Sequence, residues 1–166
     1  MKLTDFMAER VKRAAVGEVQ ADDYVLAVDC SEGGTATAVG DYAIATVHVE
    51  NMGAGISATT NDKSYLYEGA TALRSAPKRS FSISGQRFAG DDFQDFVTSH
   101  KVKFGVGNAV QRKYVYFNVN DGKGEQGTLT INVTNDGGAA SGNVADIGIE
   151  LSVSGVPAEF TWPAEA

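Results

Sequence analysis

The side chains that could act as nucleophiles are serines, and three of them alternate along one short segment. Ser80, Ser82 and Ser84 occupy every second position, so in an extended chain they would share one face of a strand. A catalytic serine needs a general base within hydrogen-bond reach and a sharp turn that exposes its hydroxyl. The two histidines, His48 and His100, lie in no sequence context that pairs them with a serine. The serines therefore predict a polar strand face, and we expect no catalytic residues.

Metal or phosphate chemistry would need clustered ligands or a glycine-rich phosphate loop. Asp22 and Asp23, and likewise Asp91 and Asp92, are adjacent acids that turn and helix-cap roles explain. The segment GVGNAVQ lacks the lysine and the serine or threonine of a P-loop, so it is interpreted as a hairpin loop. Cys30 is the only cysteine and is interpreted as a small buried residue. We therefore expect no metal and no cofactor.

The composition favours one β-rich domain. The 166 residues suffice for a single domain over 1–166 with its own core, and 19 glycines with three prolines suit many tight turns. The formal net charge of −7 argues against a protein that binds nucleic acid through phosphate contacts. No apolar run has the length of a membrane span, and we expect no membrane association.

The C-terminal half alternates apolar and polar residues with a period of two. Such alternation predicts antiparallel strands with one buried face, and a hairpin joins the second and third strands. The apolar positions are Phe81 and Ile83 in the first strand, Val115, Phe117 and Val119 in the second, Leu129, Ile131 and Val133 in the third, and Ala145, Ile147, Ile149, Leu151 and Val153 in the last.

One helix is predicted within this half, over GDDFQDFVTSHK. Phe93, Phe96 and Val97 fall at i, i+3 and i+4, which places them in a single apolar stripe. We expect these three to anchor the helix to the core. Asp91 can cap the first turn, and Gln94 three residues later forms a pattern like a capping box.

The N-terminal half gives weaker signals. Residues 1–20 are predicted to form an arm or a short helix, whose apolar stripe would contact its own subunit or a neighbour. Residues 23–29 and 41–50 read as strands, and His48 would lie on the surface of the second strand or at an interface. The expected stripe of the N-terminal helix consists of Leu3, Phe6, Met7 and Val11.

Residues 51–78 show neither the helical nor the strand period for long. A stretch of this length is typical of a functional loop, a hairpin or a disordered insertion. We interpret it as a protruding loop that orders against another subunit, because aromatic residues are enriched at interfaces. Residues 157–166 are expected to form a C-terminal tail. The candidate contact residues of the loop are Lys63, Tyr65, Leu66, Tyr67, Arg74, Lys78 and Arg79.

One block of the sequence, DDFQDFVTSHKVKFGVGNAVQRKYVYFNVNDGKGEQGTLTINVTNDGG followed by ADIGIELSVSGVP, resembles the tail tube proteins (major tail proteins) of long-tailed bacteriophages. The resemblance covers roughly residues 81–162. It implies a mainly β, antiparallel sandwich or barrel-like fold, flanked by one short α-helix and carrying a long protruding loop.

The resemblance also implies a function. Such proteins are structural virion components without enzymatic activity, assembled in the host cytoplasm as hexameric rings that stack into a hollow phage tail. Genomic DNA passes through that tube during ejection without specific binding. The implied partners are further copies of the chain, the tape measure protein, and the tail terminator and distal tail proteins.

The net acidity of the chain is compatible with a DNA conduit, because an acidic lining would reduce phosphate binding. Asp146 and Glu150 on the last predicted strand are the candidates for the face that lines the channel. Ordinary solvent exposure explains both residues equally well.

Two alternatives stay open at this stage. The inner tube of a contractile tail, or of a tailocin-like injector, would share the same sequence features. A carbohydrate-binding or other ligand-binding β-sandwich would instead use exposed aromatic residues on one surface. Its candidates are Tyr65, Tyr67, Tyr114, Tyr116 and Trp162.

Overall fold

The structure is a computed structural model that describes residues 1–11, 13 and 16–163. A curled antiparallel sheet of seven strands forms most of the molecule, beside a separate two-stranded sheet. The mainly β architecture expected from the sequence is confirmed. The strands are β1 Tyr24–Val28, β2 Ala43–Ile44, β3 Asn51–Ser57, β4 Thr60–Tyr65, β5 Gly69–Arg74, β6 Lys78–Gln86, β7 Gln111–Asn118, β8 Lys123–Asp136 and β9 Asp146–Thr161; the α-helices are α1 Leu3–Glu9, α2 Asp92–Val97 and α3 His100–Lys103.

The large sheet has the strand order β2-β1-β7-β8-β9-β6-β3, and β4 pairs only with β5. The long strands β8 and β9 form its centre, with a register that runs from Lys123 opposite Thr161 to Asp136 opposite Ile147. Alternate side chains point into one apolar core along part of each strand: Phe81 and Ile83 of β6, Leu129 and Ile131 of β8, and Ile147, Ile149, Leu151 and Val153 of β9. The predicted alternation is confirmed at these positions, whereas Val133 and Ala145, predicted on the same buried face, are only half-buried.

The main core lies between this face of the sheet and the helices α2 and α3. Its members alternate along the strands because successive side chains of a strand point to opposite faces. They include Leu26 and Val28 of β1, Phe81 and Ile83 of β6, Tyr114 of β7, Leu129 and Ile131 of β8, Ile147, Ile149, Leu151 and Val153 of β9, Phe93 and Val97 of α2, and Val102 of α3.

A second, smaller core covers the opposite face of β1 and β7. Helix α1 packs there, and the Trp162 ring stacks on Phe117 with centroids 5.6 Å apart. These two strands are therefore buried on both faces, whereas the sequence predicted one buried face for β7. The members of this core are Leu3, Val25, Ala27, Tyr42, Ile44, Val115, Phe117 and Val119, with Phe6, Met7, Phe160 and Trp162 partly buried against it.

The predicted helix over GDDFQDFVTSHK is two short helices, α2 and α3. Two hydroxyl groups bond to backbone carbonyls where α2 ends. Thr98 Oγ1 donates to the Gln94 carbonyl at 2.8 Å, and Ser99 Oγ donates to the Phe96 carbonyl at 2.7 Å. Such local hydrogen bonds compete with the continuing helix, so the chain turns before His100.

Other boundaries also differ from the sequence predictions. Residues 51–78, expected as a long loop, contain β3, β4, β5 and the start of β6. The C-terminal tail expected over 157–166 is wrong up to Thr161, because β9 continues to that residue.

The second N-terminal strand is much shorter than predicted. Strand β2 comprises only Ala43–Ile44, and the following residues turn across the end of β6. His48 lies in this turn with φ 58° and stacks on Phe88 at 3.8 Å between centroids, so it is no strand residue. In the N-terminal helix, Leu3 is buried as expected, whereas Val11 lies beyond the helix and is exposed.

Candidate assembly surfaces

The β4–β5 hairpin projects from the junction between β3 and β6. Tyr65 pairs with Gly69, which leaves a three-residue connection of Leu66, Tyr67 and Glu68. Gly69 has φ 76°, a left-handed conformation that suits glycine because it has no Cβ. Three-residue hairpin loops characteristically place such a residue at this position, so the sequence LYEG closes the hairpin locally.

Both faces of this hairpin are open to solvent. All residues of β4, and all of β5 except the half-buried Thr71, are exposed. At its base, Thr59 N donates to Ser75 Oγ at 2.8 Å and Ser75 N donates to the Thr59 carbonyl at 2.7 Å. A two-stranded hairpin of this kind is only marginally stable alone in water, so a surface that covers it would stabilise it.

The tip of the hairpin carries its largest apolar side chains. We define the hairpin tip as residues Tyr65–Glu68. Leu66 is 89% exposed and Tyr67 is 95% exposed, and Tyr65 is 48% exposed. Clustered aromatic and aliphatic side chains of this exposure are characteristic of interaction sites.

The predicted basic residues of this region do not form one group. Lys63, Arg74 and Lys78 are exposed. Arg79 is buried at 9% exposure, with its guanidinium 4.8 Å from the Phe81 ring centroid and its Nε 2.8 Å from a Glu125 carboxylate oxygen. Arg79 is therefore corrected from a candidate contact residue to an internal ion pair of the subunit.

The solvent-facing side of the large sheet is lined by small polar residues. The exposed residues include Ser80, Ser82 and Ser84 of β6, Asn132 and Thr134 of β8, and Ser152 and Ser154 of β9, with Thr128 and Thr130 half-buried. The alternating serines in the sequence thus belong to this polar face.

Asp146 and Glu150 both lie exposed on this polar face. Glu150 is opposite Ser82 on one side and Asn132 on the other, and Asp146 is opposite Gln86. Among the residues that the structure describes, neither carboxylate has an ion-pair partner within 4.0 Å. The same face also carries the exposed Lys113, opposite Thr128, and Lys78 at the start of β6, so it is polar and bears charges of both signs.

Strand β3 is an open edge of the large sheet. In the described part of the chain it pairs with β6 alone, and six of its seven residues are exposed. Gly53 and Gly55 face serines of β6, and a Cβ at Gly53 would lie 2.5 Å from Ser82 Oγ. An unprotected edge of this kind presents free backbone donors and acceptors for another strand.

Helix α2 attaches to the core through Phe93 and Val97, which are fully buried. Phe96, expected in the same stripe, is half-buried with the Arg112 guanidinium 5.2 Å from its ring centroid. Asp91 caps the helix by accepting a hydrogen bond from Gln94 N at 3.0 Å, as the sequence predicted.

The side chain of Gln94 is a buried link that sequence reasoning missed. It is 1% exposed, and its Oε1 accepts from Phe88 N at 2.8 Å. Its amide nitrogen lies 3.5 Å from the His48 carbonyl and 3.4 Å from the Gln86 carbonyl. Gln94 therefore ties α2 to the turn after β2 and to the end of β6, and does not complete a capping box.

The aromatic residues considered for carbohydrate binding are dispersed. Tyr114 is 1% exposed, and burial beside Glu125 raises the pKa of its hydroxyl. Tyr116 lies under the Arg79 guanidinium, and Trp162 stacks on Phe117. Only Tyr65 and Tyr67 of that set are exposed, so the five do not form one binding surface.

The described residues contain neither a cluster of metal ligands nor a helix that could span a membrane. Within 1–11, 13 and 16–163, no group of three or more histidine, cysteine, aspartate or glutamate side chains is arranged to hold a metal ion. In the same part of the chain, no helix is long and apolar enough to cross a membrane. Cys30 is half-buried, and burial raises the pKa of its thiol.

Comparisons with known proteins give matches in structure only. No protein-family model matches the sequence, and no curated protein matches it either. Among solved structures, the chain is similar to one in the virion of a native gene transfer agent particle, with a TM-score of 0.58 and 12% identity over 87% of this chain and 100% of that one. It is also similar to a chain in the tail of an empty gene transfer agent particle, a structure refined with C6 symmetry. That match has a TM-score of 0.57 and 16% sequence identity, and it covers 87% of this chain and 100% of the other. These likenesses show a shared fold.

Proposed function

We propose that this chain is a structural protein of a phage-like tail, which assembles as hexameric rings that stack into a hollow tube. The exposed β4–β5 hairpin carries the proposal, because it has no buried face of its own and ends in the apolar tip Tyr65–Glu68. Monomeric proteins rarely expose a cluster of large apolar side chains of this kind, and such clusters mark interaction sites. In a stacked assembly, the hairpin would reach the next ring.

Two further surfaces support assembly into rings. The open edge of β3 would pair with a neighbouring subunit, which converts an aggregation hazard into a defined contact. The polar face of the sheet would then line the tube, with Asp146 and Glu150 towards the lumen. The solved tail refined with C6 symmetry supports a six-fold ring as the unit of this assembly.

The charge of the chain suits a conduit for DNA. The net charge of −7 and the carboxylates of Asp146 and Glu150 would repel phosphates, so the lumen would let DNA pass without holding it. The role is structural and needs no catalytic residues or cofactor. The location is the virion tail, and the expected partners beyond the chain itself are a tape measure protein and the proteins that close the two ends of the tail.

Negative-stain electron microscopy over a concentration series tests this function. We expect the intact chain to form six-fold rings or hollow tubes. In a matched variant, an Asn-Gly turn replaces residues 60–74 between Thr59 and Ser75, which keeps the base of the hairpin closed. This variant should remain folded and form single rings that do not stack. Normal tubes from the variant would exclude the hairpin as the inter-ring contact, and a strict monomer of the intact chain at every concentration would contradict the proposed function.

A further inference from the structure

Large apolar side chains are exposed in the segments that lie beyond the two ends of β6. Strand β6 begins at Lys78, just after the β4–β5 hairpin, and ends at Gln86, just before helix α2. We call the Lys78 end of the strand the hairpin end and the Gln86 end the helix end. At the helix end, Phe104 is 68% exposed and Val106 is 85% exposed. We define Phe104–Gly107 as the apolar loop.

The register of the sheet fixes the position of the apolar loop. Gln86 lies opposite Asp146, and Asp136 lies opposite Ile147, so Asp136 is at the helix end. Lys103 Nζ is 2.6 Å from an Asp136 carboxylate oxygen, which ties α3 and the apolar loop to that end. The base of the hairpin, before Lys78, and the start of the apolar loop, after Lys103, therefore lie towards opposite ends of β6.

Backbone hydrogen bonds close the turn at the start of the apolar loop. Phe104 N donates to the His100 carbonyl at 3.2 Å and Gly105 N to the Val102 carbonyl at 3.3 Å. A side chain at Gly105 would collide with the Lys101 carbonyl oxygen, and Gly107 has φ 61°. The glycines of GVGNAVQ thus allow a tight, hydrogen-bonded turn that presents Phe104 and Val106 to solvent, and such preorganisation reduces the entropy cost of binding.

The charges beside the two surfaces are complementary. The hairpin tip ends in the exposed acid Glu68, and the apolar loop follows the exposed base Lys101. In the described part of the chain, neither residue has an ion-pair partner within 4.0 Å. An apolar contact flanked by opposite charges favours one orientation of docking.

We propose that the apolar loop is the docking site for the hairpin tip of a second copy of this chain in the next ring. Tyr65, Leu66 and Tyr67 would cover Phe104 and Val106, with Glu68 towards Lys101. The contact joins two different patches and is therefore heterologous, and repetition of a contact that does not close produces an open filament. This inference rests on the proposed function and names the surface through which the rings stack.

Disulfide trapping tests the contact in assembled tubes. In a Cys30→Ser background, Leu66→Cys and Val106→Cys are combined in one chain and oxidised. Because each subunit then carries both partners, we expect a ladder of covalently linked chains, and none from either single-cysteine chain. The matched control combines Leu66→Cys with Val144→Cys, since Val144 is also exposed and precedes the start of β9. A ladder from the control alone would place the tip elsewhere and overturn the proposal.

A mixing experiment tests the contact without cysteines. One variant has the hairpin shortened as above, and the other carries Val106→Glu, which places a charge in the apolar contact. Each variant alone should form single rings, with the critical concentration for stacking raised by at least about tenfold, whereas the mixture should form ring pairs. Ring pairs from Val106→Glu alone would mean that the tip docks elsewhere, and single rings in the mixture would equally overturn the proposal. Absence of rings from the intact chain would instead contradict the proposed function itself.

Discussion

The large sheet and the β4–β5 hairpin are both antiparallel β-structure, yet their side chains have different environments. In β6, β8 and β9, alternate residues are buried in a core shared with α2. In β4 and β5, residues on both faces are exposed, and the tip carries Leu66 and Tyr67 almost fully in solvent. The first region supplies its own stabilising contacts, and the second lacks a buried face among the residues that the structure describes.

Because of this difference, the sheet and the hairpin contribute to different free energies: the sheet to folding of the subunit, and the hairpin to its proposed association with other copies. Burial of apolar area in the sheet stabilises the folded subunit. Exposed side chains of the hairpin contribute little to that free energy, and in the proposed assembly they would be buried only when subunits associate. Substitutions in the sheet should therefore alter the free energy of unfolding, whereas substitutions in the hairpin should alter the concentration at which the chain assembles.

The largest expected effect is Phe93→Ala. Phe93 is fully buried in the core, and truncation of a buried phenylalanine costs about 3 to 5 kcal/mol of unfolding free energy. Urea denaturation measures this value. Phe96→Ala should cost less, about 1 to 2 kcal/mol, because Phe96 is only half-buried. Leu66→Ala is the hairpin control and should change the value by less than about 0.5 kcal/mol; equal losses at Phe93 and Leu66 would abolish the distinction between the regions.

Two arginines five positions apart give the next comparison. Arg79→Met removes the partner of Glu125, whose side chain is 24% exposed. We expect a loss of about 2 to 3 kcal/mol, below the cost of a fully buried unpaired charge. Arg74→Met lies on the exposed hairpin and should leave stability unchanged. Thermal unfolding of both variants measures the difference, and a stable Arg79→Met protein would show that the pair contributes no net stability.

Gln94→Leu should have a smaller effect. The substitution keeps the approximate volume but removes the acceptor of Phe88 N, which leaves a donor without its partner at a cost of about 1 to 2 kcal/mol. Hydrogen exchange of the Phe88 amide provides a local readout, because its protection should fall with the loss of this bond. Gln86→Leu on the exposed side of β6 is the matched control. If both variants lose the same unfolding free energy, the loss does not come from the hydrogen bond between Gln94 and Phe88 N.

The sequence predicted strands wherever one face of a strand is buried. Strands β6, β8 and β9 alternate because one side contacts the core and the other contacts solvent. The same logic explains the missed hairpin: with no buried face, β4 and β5 have no reason to alternate, and LYEG with Gly69 at the turn is the only local signal. For β7 the alternation predicts one buried face, but both faces are covered, since the neighbouring residues Tyr114 and Val115 are both buried.

The environment of single polar residues depended on distant partners. Arg79 and Glu125 are separated by 46 positions, so no local pattern distinguished Arg79 from the exposed Arg74. The spacing of three residues between Asp91 and Gln94 suggests a capping box, so the sequence gives Gln94 a local role. Its hydrogen bonds to Phe88 N and to the His48 carbonyl depend on the tertiary structure, and no local pattern predicts them. Exposure of Asp146 and Glu150 followed from strand alternation, but the surface that they face in an assembly stays a prediction.

The smallest expected change in subunit stability is Gly69→Ala. Gly69 has φ 76°, and nothing lies within 4 Å of an added Cβ, so the cost is conformational, about 1 kcal/mol in the left-handed region. Because the hairpin shares no core with the sheet, this cost should reduce the population of the closed hairpin and leave global unfolding unchanged. Amide exchange in β4 and β5 should accelerate about fivefold, and assembly should need a higher protein concentration.

Gly85→Ala is the matched substitution in the large sheet. There, an added Cβ would lie 2.9 Å from the Glu50 backbone nitrogen and 3.4 Å from Val49 Cα, in a segment that crosses the end of β6. Backbone cannot move aside as a flexible side chain can, so the strain should appear in global unfolding, about 1 kcal/mol or more. A global loss from Gly69→Ala as large as that from Gly85→Ala would mean that the hairpin unfolds together with the sheet, and the two regions would then form one cooperative unit.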